Sequence, residues 1–133
     1  MKDKFPGFKK CMEMMRSRDP GISEDGFHWL LSKASDHVQE LIEAFHTEEA
    51  FGLRCWLVEL IDAAKSEDAF DFLAEQLRGE DLQIRFWAMQ GLKHLNTKKS
   101  RTLLWEARSW ELDSPEATEQ FRSDLQAVRK QSW

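Results

Sequence analysis

The sequence predicts an all-α fold, a short α-solenoid of about four antiparallel helix pairs, and three observations predict it. Helix formers dominate: Leu, Ala, Glu, Lys and Gln are abundant, while the 133 residues hold three Pro, six Gly and no Tyr. Apolar residues recur at three- and four-residue spacing along almost the whole chain. The chain also matches itself at a shift of 31 residues, a period that stacked supersecondary units produce.

Caps and apolar spacing place eight helices. The first, about 5–17, puts Phe5, Phe8, Met12 and Met15 on one stripe and stops before Asp19-Pro20-Gly21, because proline disfavours helical backbone in the residue before it. The second, about 24–34, turns Phe27, Leu30, Leu31 and Ala34 inward. Asp36 is placed to cap the third, where Val38, Leu41, Ile42 and Phe45 follow the helical rule. The fourth, about 50–64, carries Leu53, Trp56, Leu57, Leu60, Ile61 and Ala64. Ser66 caps the fifth, which buries Ala69, Phe72, Leu73 and Leu77, and Gly79 is expected in the left-handed conformation that closes it. Asp81 opens the sixth, with Ile84, Trp87, Ala88, Gly91, Leu92 and Leu95 inward and Asn96 at its end. Thr97 caps the seventh, running to about Trp110 with Leu103, Leu104 and Ala107 inside; Ser114-Pro115 starts the eighth, whose stripe is Ala117, Phe121, Leu125 and Val128.

The self-match lays Leu53-Arg54-Cys55-Trp56-Leu57 on Ile84-Arg85-Phe86-Trp87-Ala88, and Leu41-Ile42 on Phe72-Leu73. A second step carries Phe72-Leu73 onto Leu103-Leu104 and Ser66 onto Thr97. Positions expected inside match while exposed ones differ, which is what a shared stacking geometry requires. One domain over 1–133 follows: a degenerate N-terminal pair at 1–35, the best-matching repeats at 36–65 and 66–96, and a C-terminal capping pair at 97–133.

The segment Asp81-Leu82-Gln83-Ile84-Arg85-Phe86-Trp87-Ala88-Met89-Gln90-Gly91-Leu92-Lys93-His94-Leu95 resembles the second helix of a unit in the HEAT-repeat family, in a small standalone bacterial-type form. The parts that carry the resemblance are the acidic Asp81, the apolar-Arg pair Ile84-Arg85, the small Ala88 and Leu92. Residues 36–65 depart from it, with Leu57 where Ala is usual and Glu49 or Ala50 in place of Asp. The resemblance implies that second helices line a concave side, and it is almost silent about activity, because such repeats scaffold unrelated functions.

Helical angles set at 100° per residue point Phe86, Met89, Gln90 and Lys93 away from the inner stripe of the sixth helix, with Val58, Glu59 and Asp62 the corresponding residues of the fourth. These seven form the expected partner-binding patch, with an apolar centre and a charged border. The alternative for this face is that a terminal helix folds over it.

Net charge is −5 but uneven: +4 over residues 1–18, −7 over 19–65, −3 over 66–96 and +1 over 97–133. An acidic middle repels phosphate backbones and attracts a basic protein surface. Apolar runs are too short for a membrane span, and the first residues lack a secretory apolar stretch, so a cytoplasmic protein without membrane association is expected. Cys11 and Cys55 sit in helical patterns and read as buried thiols. His28, His37, His46 and His94 form no HExxH or His-Glu dipeptide, so no metal or other cofactor is expected. Phosphate-cradling and nucleophile-elbow motifs are missing from the sequence. Arg54 and Arg85 recur at the repeat spacing and are expected to pair with acidic residues of the adjacent unit. Trp29, Trp56 and Trp87 are expected in the core, with Trp105, Trp110 and Trp133 unassigned.

The reading that follows is a non-catalytic protein-binding module, not an enzyme and not a small-molecule binder, whose partner has a basic surface. Within that class it is similar to acidic immunity proteins that inhibit bacterial toxins. The alternative is a nucleic-acid-binding or processing HEAT protein, similar to alkylpurine DNA glycosylases, which would need a basic stripe on the second helices; a third idea, a lyase-like partner of chromoproteins, would need pigment binding.

Overall fold

The computed structural model describes residues 4–130, and Trp133 lies outside them. Among the described residues there are eight α-helices and no strand: α1 Phe8–Met15, α2 Pro20–Lys33, α3 Val38–Thr47, α4 Phe51–Ala64, α5 Phe70–Leu77, α6 Leu82–Leu95, α7 Lys98–Ala107 and α8 Pro115–Lys130. Short 3-10 turns at Ala34–Asp36 and Glu67–Ala69 precede α3 and α5. No helix among the described residues is long and apolar enough to cross a membrane.

Four of the eight α-helices, α2, α6, α7 and α8, start on a side-chain cap, and Ser66 caps the 3-10 turn before α5. Asp81 Oδ1 accepts from the Ile84 amide at 2.9 Å, and Thr97 and Ser100 form a reciprocal capping box. Ser114 Oγ accepts from the Ala117 amide at the head of α8. As expected, α1 ends before Asp19-Pro20, at Met15, but α2 starts at Pro20 rather than near residue 24: Asp19 caps it through the amides of Gly21 and Ile22, and Pro20 occupies the first helical position, where its missing N–H costs nothing. Asp36 lies in the 3-10 turn and makes no cap, and α3 begins after His37, whose Nδ1 bonds Glu40. Gly79 is not left-handed; Arg78 and Gly79 close α5 by amide bonds back to Glu75 and Gln76.

The 31-residue period is present in the backbone. Helices α4 and α6 are both 14 residues long, and they end at Lys65 (φ 48°, ψ 42°) and Asn96 (φ 50°, ψ 38°), the two non-glycine residues with positive φ among the described residues. Asparagine tolerates that conformation and lysine seldom adopts it, so Lys65 is held there by its place in the unit. Ser66 and Thr97 follow as the next caps.

Consecutive helices pack in pairs, α1 on α2, α3 on α4 and α5 on α6; the second members also pack on one another, α2 on α4 and α4 on α6. The last two helices do not make a comparable pair, since α7 and α8 each pack chiefly on α6. Helix α6 therefore has neighbours on four sides, and the core runs through it: Leu57, Leu60 and Ile61 of α4, Leu73 and Leu77 of α5, Ala88, Met89 and Leu92 of α6, and Phe121, Leu125 and Val128 of α8 are all buried. Leu31, expected inside, is exposed on α2.

Two buried glycines set the closeness of these contacts. A Cβ on Gly26 would meet the Cys11 carbonyl oxygen at 2.7 Å and Met14 Cβ at 2.8 Å, so α1 and α2 touch backbone to backbone. A Cβ on Gly91 would meet Leu73 Cδ1 at 2.9 Å and Asp62 Cβ at 3.6 Å, which places the expected close packing against α5 and α4 rather than beside Trp87.

Candidate functional site

Helices α4 and α6 lie side by side with like ends together. Near their C-terminal ends His94 Nδ1 lies 2.8 Å from Asp62 Oδ1, and near their N-terminal ends the charge of Asp81 acts on Cys55. Because the two helices share a register, equivalent positions on each look in the same direction.

Those positions define the open face. On α4, Gly52, Cys55, Trp56, Glu59 and Ala63 fall within an arc of about 100° and are exposed or half-buried. On α6 the residues 31 positions later, Gln83, Phe86, Trp87, Gln90 and His94, are again exposed or half-buried. The stripe is mainly aromatic and amide, carries one carboxylate that is not tied to a partner, Glu59, and has neither Lys nor Arg.

Of the seven residues expected to meet a partner, Glu59, Phe86 and Gln90 are on this stripe. The other four are corrected. Val58 is 0% and Met89 1% exposed, while Asp62 is 5% and Lys93 1% exposed. The inner arc of each helix is wider than its own apolar stripe, because α6 covers Val58 and Asp62 of α4, and α8 covers Met89 and Lys93 of α6. Lys93 Nζ donates to the Val128 carbonyl at 2.9 Å, so the lysine meant for a partner holds α8 in place. Position 62 has the same inter-helix role one unit earlier, with His94 of α6 as its partner.

Trp56, Trp87 and His94 were missed as surface groups. Trp56 packs against Phe27 of α2 with its ring tilted by 34° and the centroids 4.9 Å apart, and Trp87 meets Phe86 edge-on at 6.4 Å; both indoles are half-buried. Their recurrence at 31 residues is the signal in the sequence, and it fits a core position and a half-buried surface position alike. Trp105 is 57% exposed, and Trp110 is sandwiched between Arg78, 3.9 Å above its ring, and Phe121.

Burial raises the Glu59 carboxyl above its usual range, and the nearby Asp62 adds to the rise. Burial also raises Asp62, against the opposing pull of the His94 hydrogen bond and the charges of His94 and Lys65. Burial and Asp81 push the Cys55 thiol up, which makes it a poorer nucleophile. The cysteines are free, Cys11 buried and Cys55 half-buried on the stripe. The described residues contain no group of three His, Cys, Asp or Glu side chains that could hold a metal ion.

Arg54 and Arg85 do not make the ion pairs expected of them. Arg54 lies 4.2 Å above the Phe45 ring of α3, and Arg85 donates to the Gly79 carbonyl at 3.0 Å and lies 5.4 Å from the Phe121 ring. Comparison of the chain with family models, with curated proteins and with solved structures finds no match.

Proposed function

We propose that this chain is a HEAT-like stack of helix pairs that works by docking a partner protein with a basic surface onto the shared stripe of α4 and α6. The observation that carries the reading is the stripe itself: two equivalent helices present Trp56, Phe86 and Trp87 beside Glu59 and Gln90, without a lysine or arginine among them. Half-buried aromatics anchored in a core bind at low entropic cost, which is why Trp and other aromatics dominate interface hot spots. The −10 carried by residues 19–96 steers a basic partner towards this part of the molecule. Inhibition of a basic toxin, in the manner of an immunity protein, is the form of this function that the charge and size favour.

The repeat of helix length, left-handed C-cap and following cap at 31 residues supports the solenoid reading. Stacking of α2 on α4 and α4 on α6 supports it as well.

The test is affinity capture with the tagged chain from its own cells, comparing wild type with Glu59→Lys/Gln90→Lys. The expected result is a partner with a basic surface, retained by wild type and lost by the variant at an unchanged melting temperature. A partner of acidic surface, or retention by the variant, would overturn the proposal.

One observation favours nucleic acid instead. Arg108, Arg122 and Arg129 line a hollow of about 250 Å³ between α7 and α8, away from the stripe. Two of these arginines are already engaged by main-chain carbonyls, Arg108 Nε on Trp105 in the last turn of α7 and Arg122 Nη2 on Trp110 in the segment after it. Salt-sensitive binding to duplex DNA, lost on Arg129→Glu, would reverse the order of the two readings.

A further inference from the structure

The charges of the C-terminal end are sorted by sign. On α7 and its C-cap, Lys98, Arg101, Trp105 and Arg108 fall within an arc of about 80°, and all four are exposed. Next to them Arg108, Arg122 and Arg129 line the hollow between α7 and α8, and the rest of its lining is Leu125 and Gln126. Residues 97–133 also hold six carboxylates, yet none borders this hollow. Glu111, Asp113, Glu116 and Glu119 gather at the head of α8, Glu106 lies beside Phe70, and Asp124 is bonded by Gln120. Arg122 borders the acidic side as well. Among the described residues, however, none of the five cations forms an ion pair.

An indole is the second, independent feature. At 57% exposed, Trp105 is the most exposed large apolar side chain among the described residues. Arg108 covers one face of its ring at 4.3 Å from the centroid, so the exposed area is the opposite face and the edge. Arg108 belongs to both features, since it backs the indole and lines the hollow.

The guanidinium groups are also held in place in advance. Arg101 Nη1 donates to Asn96, Arg108 Nε to the Trp105 carbonyl and Arg122 Nη2 to the Trp110 carbonyl. A guanidinium carries five N–H donors, so one occupied nitrogen positions each group and leaves donors for an anion.

Size and surroundings select the anion. The hollow, about 250 Å³, is smaller than the roughly 300–1,000 Å³ of small-molecule sites, and it suits a single phosphate group rather than a whole nucleotide. A bilayer surface would require an apolar face, whereas this one offers a lone Trp among cations. An unpaired base presents the flat π-face that a half-covered indole can stack on, and a duplex hides it. The −10 carried by residues 19–96 repels phosphates from the middle of the molecule and confines them to this end.

We infer that the α7/α8 end is a binding surface for single-stranded nucleic acid, with a base stacked on the open face of Trp105 and the adjoining phosphate held by Arg108, Arg122 and Arg129. The surface is separate from the stripe of α4 and α6 and does not depend on how the stripe is used.

The probe is a fluorescein-labelled oligothymidylate of about ten nucleotides, titrated with the full chain at about 50 mM salt and read by anisotropy. Saturable binding is expected, with log K falling against log salt at a slope of about −2, the value for three phosphate contacts on a single strand. An abasic strand of the same length and a duplex of the same sequence should each bind at least about fivefold more weakly. Trp105→Ser should weaken oligothymidylate binding at least about fivefold with the slope unchanged. Arg122→Gln/Arg129→Gln, both at exposed positions, should weaken it and flatten the slope to about −0.7. In the isotope-labelled chain the indole N–H signal of Trp105 should move on titration while those of Trp56 and Trp87 stay. Absence of saturable binding, equal affinity for the abasic strand, a duplex bound as tightly as the single strand, or affinity unchanged in Trp105→Ser would overturn the inference. Melting curves of both variants that match wild type keep a loss of binding from being a loss of fold.

Discussion

Asp62 of α4 and Lys93 of α6 stand 31 residues apart, at the same register of two fourteen-residue helices, and both are buried. Each reaches the next helix in the row, yet the acid meets the imidazole of His94 and the lysine meets a main-chain carbonyl of α8. One place in a repeated unit thus performs one mechanical task with opposite charges. Its neighbour decides the chemistry: α4 is followed by a helix that offers a side chain, and α6 by a helix that offers its backbone. A polar residue at an outward angle therefore cannot be assigned to a partner or to a neighbour from its own helix alone.

The largest test of that contrast removes the cover that α6 has. Phe121 is 0% exposed and stacks on Trp110, so Phe121→Ala should cost about 3–5 kcal/mol in denaturant unfolding. A loss below about 1 kcal/mol would mean that α8 does not enclose α6, and Met89 and Lys93 would return to the surface.

The two glycines separate a backbone contact from a side-chain contact. Gly26→Ala drives a methyl against the Cys11 carbonyl and the α1 backbone, which cannot withdraw, and should cost about 3 kcal/mol. Gly91→Ala meets the tip of Leu73, which can turn aside, and gains about 1 kcal/mol of helix propensity, so its net effect should stay within about 1 kcal/mol of zero. Equal losses at the two positions would contradict the difference between the α1/α2 and α5/α6 contacts.

The ends of the α4 unit should respond to pH with opposite signs. At Glu48, before the helix, burial pushes the carboxyl up, but the Ala50 amide and the Arg16 guanidinium outweigh it and hold the acid below its usual range. Its contribution is present above the unfolded-state pKa and is lost as pH falls through the folded value. Glu48→Gln should accordingly destabilise near neutrality, with the two unfolding curves converging in acid. Asp62 is raised by burial, so its ionised form is a cost to the fold at neutral pH, relieved as pH falls below the folded value. Asp62→Asn should then stabilise near pH 7, and the gain should shrink in acid. Parallel pH profiles for the two variants would contradict the assigned causes.

The smallest effect belongs to Trp105, exposed on α7 and covered on one side by Arg108 at 4.3 Å. Trp105→Ser should change stability by less than about 0.5 kcal/mol in the same unfolding measurement, where a larger loss would show that α7 packs more deeply than its exposure implies.

The helix formers, the apolar spacing and the caps at Ser66, Asp81 and Thr97 made the helical content and most of its punctuation legible. Asp19-Pro20 carried two meanings, an end for the preceding segment and a cap and first turn for the following one, and the fold uses both. Lys65 gave no sign of a left-handed residue because its conformation comes from the unit and not from its side chain. Gly26 gave none either, since a glycine that permits close approach is indistinguishable from one that bends a turn until the opposing backbone is known. At the candidate site, Glu59, Phe86 and Gln90 followed from helical angles alone. Val58, Asp62, Met89 and Lys93 did not, because their burial depends on α6 and α8, the helices that follow theirs in the row. Trp56 and Trp87 were visible as a repeat, but large aromatics satisfy both a core and a surface reading when they are half-buried.

The stripe exists only if α4 and α6 lie side by side with their ends aligned, and the contact between Asp62 and His94 reports that alignment. A double-mutant cycle of Asp62→Ala and His94→Ala, followed by denaturant unfolding, measures it directly. Aligned helices predict a coupling of at least about 0.5 kcal/mol between the two positions; additive losses, within about 0.3 kcal/mol of zero coupling, would contradict the arrangement.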